Sequence, residues 1–210
     1  MAFFISLLVV TALGALAFFG AGAGYQNYFG VIIPLVAVAF FVLGFLYRVF
    51  DWARSPVPFR IPTTAGQMKS MEWIKWNPLD NPSNNWQTAA RMALEVLTFR
   101  SLFRNTSVGL QPGPRVTYNS AKWLWLFALL FHYSFLVIFL RHFRFFLEPV
   151  PFVITGLEFL DGIFQIGAPR LYQTDVIIVA ALMFLLLRRV FDNKVRYISM
   201  VADYFPLFLI

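Results

Sequence analysis

One apolar stretch decides the fold: Lys122-Trp-Leu-Trp-Leu-Phe-Ala-Leu-Leu-Phe-His132-Tyr-Ser-Phe-Leu-Val-Ile-Phe-Leu-Arg-His142. As a helix it is long enough to cross the ~30 Å hydrocarbon core of a bilayer, and it contains both histidines of the protein. Imidazoles inside a membrane span are costly unless they have a polar partner or a ligand to coordinate. The stretch therefore predicts a membrane helix that carries two histidine sites.

The composition of the whole chain is that of an integral membrane protein. Of its 210 residues, 60% are hydrophobic and only 13% are charged, outside the usual range of a soluble domain. The absence of cysteine excludes disulfides, iron–sulfur clusters and thiolate metal sites within this chain. The formal charge of +7 does not indicate nucleic acid, because basic residues of membrane proteins collect in cytoplasmic loops.

The apolar runs predict an all-α transmembrane helix bundle with four complete spans and the start of a fifth. Residues 1–50 form a helical hairpin, 51–119 form a cytoplasmic Pro-rich segment, and 120–210 form a histidine-bearing bundle that is incomplete at its C-terminus. A final run of 14 residues, 197–210, would reach only ~21 Å as a helix, too short for a span. We therefore expect the natural protein to continue beyond Ile210. The spans are predicted at residues 2–20, 29–50, 120–143 and 174–191.

The cytoplasmic segment contains one predicted amphipathic helix, within residues 84–104. Its apolar positions follow the i, i+3, i+4, i+7 spacing after an Asn-Pro-Ser-Asn capping sequence. Arg91 and Glu95 lie one turn apart and are expected to pair on its polar face. A further short interfacial helix is predicted at 152–166.

The basic residues predict the orientation of the chain in the membrane. Segment 51–119 with its flanks Arg48 and Lys122 carries ten Lys and Arg, the 188–196 loop carries four, and the opposite side carries three. By the positive-inside rule the long segment and the N-terminus are cytoplasmic. His132 then lies near the middle of the membrane and His142 near its outer face.

The spacing of the two histidines limits what they can bind. Ten residues of helix rise ~15 Å and end ~80° short of three full turns, so both imidazoles face roughly one side at different depths. They are too far apart to share one metal ion, whereas two separate haems would each take one imidazole. As alternatives, His142 contacts lipid headgroups and His132 bonds another helix. The chain would then be a haem-free membrane anchor that recruits a cytoplasmic partner.

Three stretches of the sequence resemble a known family. The run from Lys122 to Phe146, with its histidines ten apart, resembles the second helix of the NarI-like dihaem cytochrome b family. Val57-Pro-Phe-Arg-Ile-Pro-Thr-Thr and Leu79-Asp-Asn-Pro-Ser, followed by residues 91–106, are more similar to the DsrM branch. That branch comprises the membrane subunits of the Dsr (dissimilatory sulfite reduction) electron-transfer complex. The likeness covers essentially the whole chain.

The resemblance implies that His132 and His142 are axial ligands of two different b-type haems. The opposite ligands come from a later helix in the family, and this chain has no other histidine, so they are expected beyond Ile210. It also implies an electron-transfer subunit, not catalytic alone, in a bacterial or archaeal cytoplasmic membrane. This subunit exchanges electrons between menaquinol and a cytoplasmic iron–sulfur subunit in dissimilatory sulfur metabolism, with further membrane and periplasmic partners and no nucleic acid.

Several charged residues near the outer face are candidates for contact with the quinol. Arg141, Arg144 and Glu148 are the candidate quinol-side residues, and Asp161 lies on the same predicted side. The alternative for each is a headgroup contact or a solvated loop charge. Asp203 is an acid inside the last apolar run and a functional candidate for that reason.

Overall fold

A computed structural model of the chain describes residues 1–55, 73, 75–113, 115–162 and 171–210. Its elements are α1 (Ala2–Gly20), α2 (Ile33–Arg54), α3 (Asn85–Thr98), α4 (Arg100–Phe103), β1 (Thr106–Gln111), β2 (Arg115–Ser120), α5 (Lys122–His142), α6 (Phe152–Asp161), α7 (Gln173–Phe191), α8 (Asn193–Ile198) and α9 (Val201–Leu209). The protein is mostly helical, as predicted.

Three of the described helical stretches are long and apolar enough to cross a membrane: Ala2–Tyr25, Tyr28–Arg54 and Lys122–Phe145. They correspond to the first three predicted spans, as expected of an integral membrane helical protein. The predicted fourth span forms as helix α7, but Asp175 near its start and Arg188 and Arg189 near its end leave a short uncharged section. Residues 176–187 extend only ~18 Å as a helix, so a fourth crossing stays a prediction.

The chain divides into two compact units, Met1–Gln67 with Ser199–Ile210 and Met68–Ile198. In the first unit, α1 packs along α9. The Ser6 hydroxyl is fully buried and lies 2.9 Å from the Ala2 carbonyl oxygen and 3.1 Å from that of Val201. The Phe3 ring packs edge-on against Tyr204. A serine buried between apolar helices thus finds its partners on backbone oxygens.

The helical path of the first unit bends at a glycine. Gly24 has φ 93° and ψ 3°, a conformation open to glycine at no steric cost. The ring of Phe29 then lies so close to Gly20 that a Cβ there would be 2.2 Å from a ring carbon. The glycines of this stretch therefore permit both the bend and the close approach after it.

In the second unit the central packing is between α5 and α7. The rings of Phe127 and Phe184 stack with centroids 3.9 Å apart, and Ala181 is fully buried on α7. Helix α6 also contacts α5. Helix α5, with both histidines, is thus held on one side by two later helices.

The predicted amphipathic helix forms as α3, with a polar cap at its start. The Asn84 side chain accepts a hydrogen bond from the Gln87 N–H at 2.9 Å, and the Gln87 side chain accepts one from the Ser83 N–H. Such reciprocal bonds satisfy backbone donors that a helix start leaves unpaired. The expected Arg91–Glu95 pair is replaced by other bonds: Arg91 donates to the Asp80 carbonyl oxygen at 2.7 Å, and Glu95 accepts from the Ser101 N–H.

Segment 51–119 also contains structure that was not predicted from its sequence. Strands β1 and β2 form an antiparallel hairpin with Thr106 opposite Ser120 and Gln111 opposite Arg115. Gly113 lies in its turn with φ 89°. The Lys194 ammonium group, from α8, donates to the Val108 carbonyl oxygen at 3.0 Å. The segment therefore has a β-hairpin as well as its helix.

Two further predictions fall partly outside the described residues. The short interfacial helix predicted at 152–166 forms over Phe152–Asp161, and its remaining positions extend into 163–170. Arg170 and the proline-rich motif at 57–64 also lie outside the described residues.

Candidate functional site: two histidine clefts on one helix

Both histidines of α5 make the same local hydrogen bond. His132 Nδ1 lies 2.7 Å from the Ala128 carbonyl oxygen, and His142 Nδ1 lies 2.7 Å from that of Ile138. A carbonyl oxygen only accepts, so Nδ1 must carry the proton in each bond. In the neutral imidazole the available lone pair is then on Nε2. This tautomer suits a metal ligand, because Nδ1 fixes the ring through its hydrogen bond while Nε2 is left to bind the metal.

His132 lines an apolar cleft of about 450 Å³ between α5 and the end of α3. Its walls are almost free of polar groups apart from the histidine. The lining residues are Val96, Leu97, Phe99, His132, Tyr133, Phe135, Leu136 and Phe139. A single nitrogen ligand in an apolar cleft is the kind of surface that receives a flat, largely apolar cofactor.

One wall of this cleft is formed by Phe99, which has an unusual backbone conformation. Phe99, directly after α3, has φ 49° and ψ 46°, the left-handed region that costs an L-residue roughly 1–2 kcal/mol. Helix ends of this kind normally carry glycine or asparagine. The Phe99 ring lies edge-on to the His132 imidazole with centroids 4.9 Å apart.

His142 lines a smaller cleft of about 240 Å³, and this one is charged. Its lining residues are Arg141, His142, Arg144, Phe145, Glu158 and Tyr172. One Arg144 nitrogen lies 2.8 Å and 2.9 Å from the two carboxylate oxygens of Glu158. A cation and an anion therefore lie beside the second histidine, where the first has only apolar neighbours and Tyr133.

Arg141 sits at the centre of a buried ion-pair cluster behind this second cleft. Its guanidinium donates to Asp161 at 2.7 Å and to Asp175 at 3.0 Å, and the Arg141 and Asp161 side chains are 11% and 3% exposed. Asp161 also accepts from both the N–H and the hydroxyl of Thr174, and the Tyr172 ring lies 3.8 Å from the guanidinium. The cluster joins α5, α6 and the start of α7.

Comparison with known proteins identifies two relatives of similar sequence. The chain is 46% identical over 185 residues to an Hdr-like menaquinol oxidoreductase cytochrome b-like subunit of Archaeoglobus fulgidus, covering 87% of this chain. A subunit of the same name from Archaeoglobus profundus is 44% identical over 180 residues, covering 84% of this chain.

The relatives are cytochrome b-like subunits. The chain spans about half the length of these curated relatives, 55% and 53% respectively. No family model matches, and no solved structure matches. The similarity supports a membrane subunit of the cytochrome b type.

The candidate quinol-side residues have different positions in the structure. Arg144 lies in the charged cleft beside His142. Arg141 lines the same cleft, but its guanidinium is held by two carboxylates. Glu148 is exposed and is not among the described residues that line the cleft.

The two candidate aspartates have structural partners. Asp161 is buried against Arg141. Asp203 accepts a hydrogen bond from the Met200 N–H at 2.9 Å and so caps the start of α9. The roles of Glu158, Tyr172 and Asp175 as partners of α5 were not predicted from the sequence. These partners lie 14 to 34 residues away from Arg141 and Arg144 in the sequence. At that separation no helical or strand periodicity indicates that the residues are in contact.

A second group of charges lies around helices α3 and α4, and its residues do not line either cleft. Asp80 pairs with Arg100 at 2.8 Å and also with Arg104. The hydrogen bond from Arg100, followed by that from Arg104, holds the pKa of the Asp80 carboxyl below its usual value. Bonds from Ser101 likewise lower the pKa of Glu95. Both carboxylates are therefore charged at neutral pH.

No group of three or more metal-ligating side chains is found in the described part of the chain. Single axial ligation needs only one imidazole from this helix. The residues present fit that requirement through Nε2 of His132 and of His142.

Proposed function

We propose that this chain is the part of a membrane cytochrome b subunit that ligates two b-type haems, through His132 and His142. The observation that carries the proposal is the repeated hydrogen bond from Nδ1 to the carbonyl oxygen four residues earlier. It fixes the same tautomer at both positions and leaves Nε2 as the ligating atom. Both rings are exposed in the described chain, so Nε2 is accessible to a cofactor.

We propose that the opposite axial ligands are histidines outside this chain, which has no other histidine. The curated relatives are almost twice as long, and we propose that the additional length of such a protein supplies the partners. Bound haem would supply reversible one-electron chemistry. The chain's own residues would hold the ring systems, provide an apolar surface on the His132 side and place charge beside the His142 side.

The electron donor in this proposal is menaquinol, the substrate named for both relatives. We place its oxidation at the His142 end, where Arg144 and Glu158 provide a cation and a proton-accepting carboxylate. The basic residues favour a cytoplasmic N-terminus and an outer position for this end. Electrons would leave toward a cytoplasmic iron–sulfur partner, and a role in dissimilatory sulfur metabolism follows from the DsrM resemblance.

The ligand assignment is tested in the full-length subunit within its membrane complex. His132→Ala and His142→Ala should each remove one haem per subunit, and the double variant should remove both, while the accompanying subunits still copurify. Haem per subunit is measured by reduced-minus-oxidised absorption. Tyr118→Ala, an exposed aromatic change on the β-hairpin, is the control and should keep the full complement.

Unchanged haem in either single histidine variant would contradict the assignment for that position. If no variant changed the haem content and the complex still assembled, the two histidines would be interhelical bonding groups. The chain would then be a haem-free membrane anchor.

A further inference from the structure

Phe99 has a backbone conformation that is not explained by packing alone. It is the one non-glycine residue with positive φ in the described ranges, and it carries a bulky ring where glycine or asparagine is usual. Backbone in such a region persists when its surroundings impose it, and it clusters at functional sites. The contacts around Phe99 therefore need an explanation.

Two side chains of α5 hold the end of α3 in this conformation. The Tyr133 hydroxyl donates to the Leu97 carbonyl oxygen at 2.8 Å, and the Trp125 indole N–H donates to the Thr98 carbonyl oxygen at 2.6 Å. The last carbonyls of a helix have no partner within it. Here they are capped by long-range side chains, so the position of Phe99 is set from α5.

The result of this arrangement is a fixed imidazole. The Phe99 ring meets His132 at 4.9 Å and 88°, and the Phe131 ring meets it at 5.0 Å and 81°. The bond from Nδ1 to Ala128 fixes the ring at a third point. Rotation of the imidazole about its side-chain torsions is thus opposed by two ring edges and one hydrogen bond.

Among the described residues, the second histidine has no comparable support. The ring contact of His142 is with Phe145, at 6.0 Å and a tilted 59°. That contact is longer than either ring contact of His132 and comes from the turn that directly follows α5. Both histidines share the Nδ1 bond, but within the described ranges only His132 is met by a residue of left-handed backbone conformation, Phe99 at the end of α3.

We propose that Phe99 is a positioning residue for His132, held in its left-handed conformation by Tyr133 and Trp125 so that its ring sets the imidazole plane. This inference rests on the proposed function, since it matters most when His132 is an axial ligand. The imidazole plane sets the anisotropy of the ligand field at a low-spin ferric haem. A change in that plane is therefore visible by electron paramagnetic resonance without any assay of activity.

The test uses the full-length subunit in its complex, with the signal of each haem assigned from His132→Ala and His142→Ala. Phe99→Gly removes the ring while glycine suits the positive φ, which offsets part of the lost packing. The signal of the His132 haem should move by more than its wild-type linewidth, and that of the His142 haem should stay. Tyr133→Phe, which removes only the hydroxyl that holds Leu97, should shift the same signal by less.

Phe99→Leu provides a second variant that keeps most of the bulk, and Phe191→Leu, an exposed position on α7, is the matched control. Phe99→Leu should also shift the His132 signal, and the control should not. Wild-type signals in both Phe99 variants would overturn the inference and leave the proposed function intact. A wild-type complex without haem on this subunit would overturn both.

Discussion

Helix α5 presents two histidines in opposite surroundings, His132 at its middle and His142 at its C-terminal end. At His132 the neighbours are apolar side chains and the edges of two rings. At His142 the neighbours include two arginines and a glutamate. The bond from Nδ1 to the backbone has the same length, 2.7 Å, at both.

This comparison separates what the helix provides from what its partners provide. The helix fixes the tautomer of each imidazole through its own backbone. The neighbouring elements add Val96, Leu97 and Phe99 to the His132 cleft, and Glu158 and Tyr172 to the His142 cleft. Burial and nearby charge are main means of tuning a redox cofactor, so two haems held here should differ in potential.

The largest expected effect concerns the two arginines at the His142 end. Arg141→Ala leaves Asp161, 3% exposed, without its cation and should destabilise the protein by about 3–5 kcal/mol. Arg144→Ala breaks a pair whose arginine is 47% exposed and should cost only about 0–1 kcal/mol. Denaturant unfolding of the detergent-solubilised complex measures both values. Equal losses would show that the buried cluster is not what joins these helices.

A smaller effect should distinguish the potentials of the two sites. Arg144→Gln removes a cation beside His142 and should lower the midpoint potential there, because it favours the oxidised form. Glu158→Gln should raise it, by up to ~59 mV for a tenfold change in a one-electron equilibrium. Redox titration of the complex measures both haems. Shifts of the same size at the His132 haem would mean that the two environments are not electrostatically separate.

The smallest effect is expected from the charges outside the His132 cleft. The pKa of Asp80 is lowered in the folded state, so its contribution is present above the unfolded value of about 3.9 and is lost as the pH falls through the lower folded value. Between pH 5 and 8 the pairing of Asp80 with its arginines should therefore be insensitive to pH.

Asp80→Asn should speed amide exchange in residues 77–84 and leave the haem spectrum unchanged. A spectral shift would instead link this charge group to the cleft.

The sequence predicted those elements whose hydrophobic pattern is visible within one short stretch of the chain. The apolar run of α5 and the amphipathic period of α3 were sufficient for those helices, whereas the assignment of both histidines as ligands stays a prediction. The β-hairpin had a signal too, the Pro112-Gly113 turn between runs of Thr, Val and Tyr. It was missed because the whole segment was interpreted from its polarity.

The contacts that distinguish the two clefts could not be predicted in this way. Phe99 adopts a glycine-like conformation because of hydrogen bonds from Trp125 and Tyr133, 27 and 36 residues from their acceptors. Arg141 finds Asp161 and Asp175 at separations of 20 and 34 residues. Such pairs depend on how α5 packs against its neighbours, which no local pattern encodes.

One measurement tests whether α5 ligates two haems in unlike surroundings. A dithionite-reduced minus oxidised absorption spectrum of the purified full-length complex is recorded during a redox titration, with haem quantified per copy of this subunit. Two b-type haems per copy and two resolved midpoint potentials are expected. A complex with no haem assigned to this subunit would contradict this expectation.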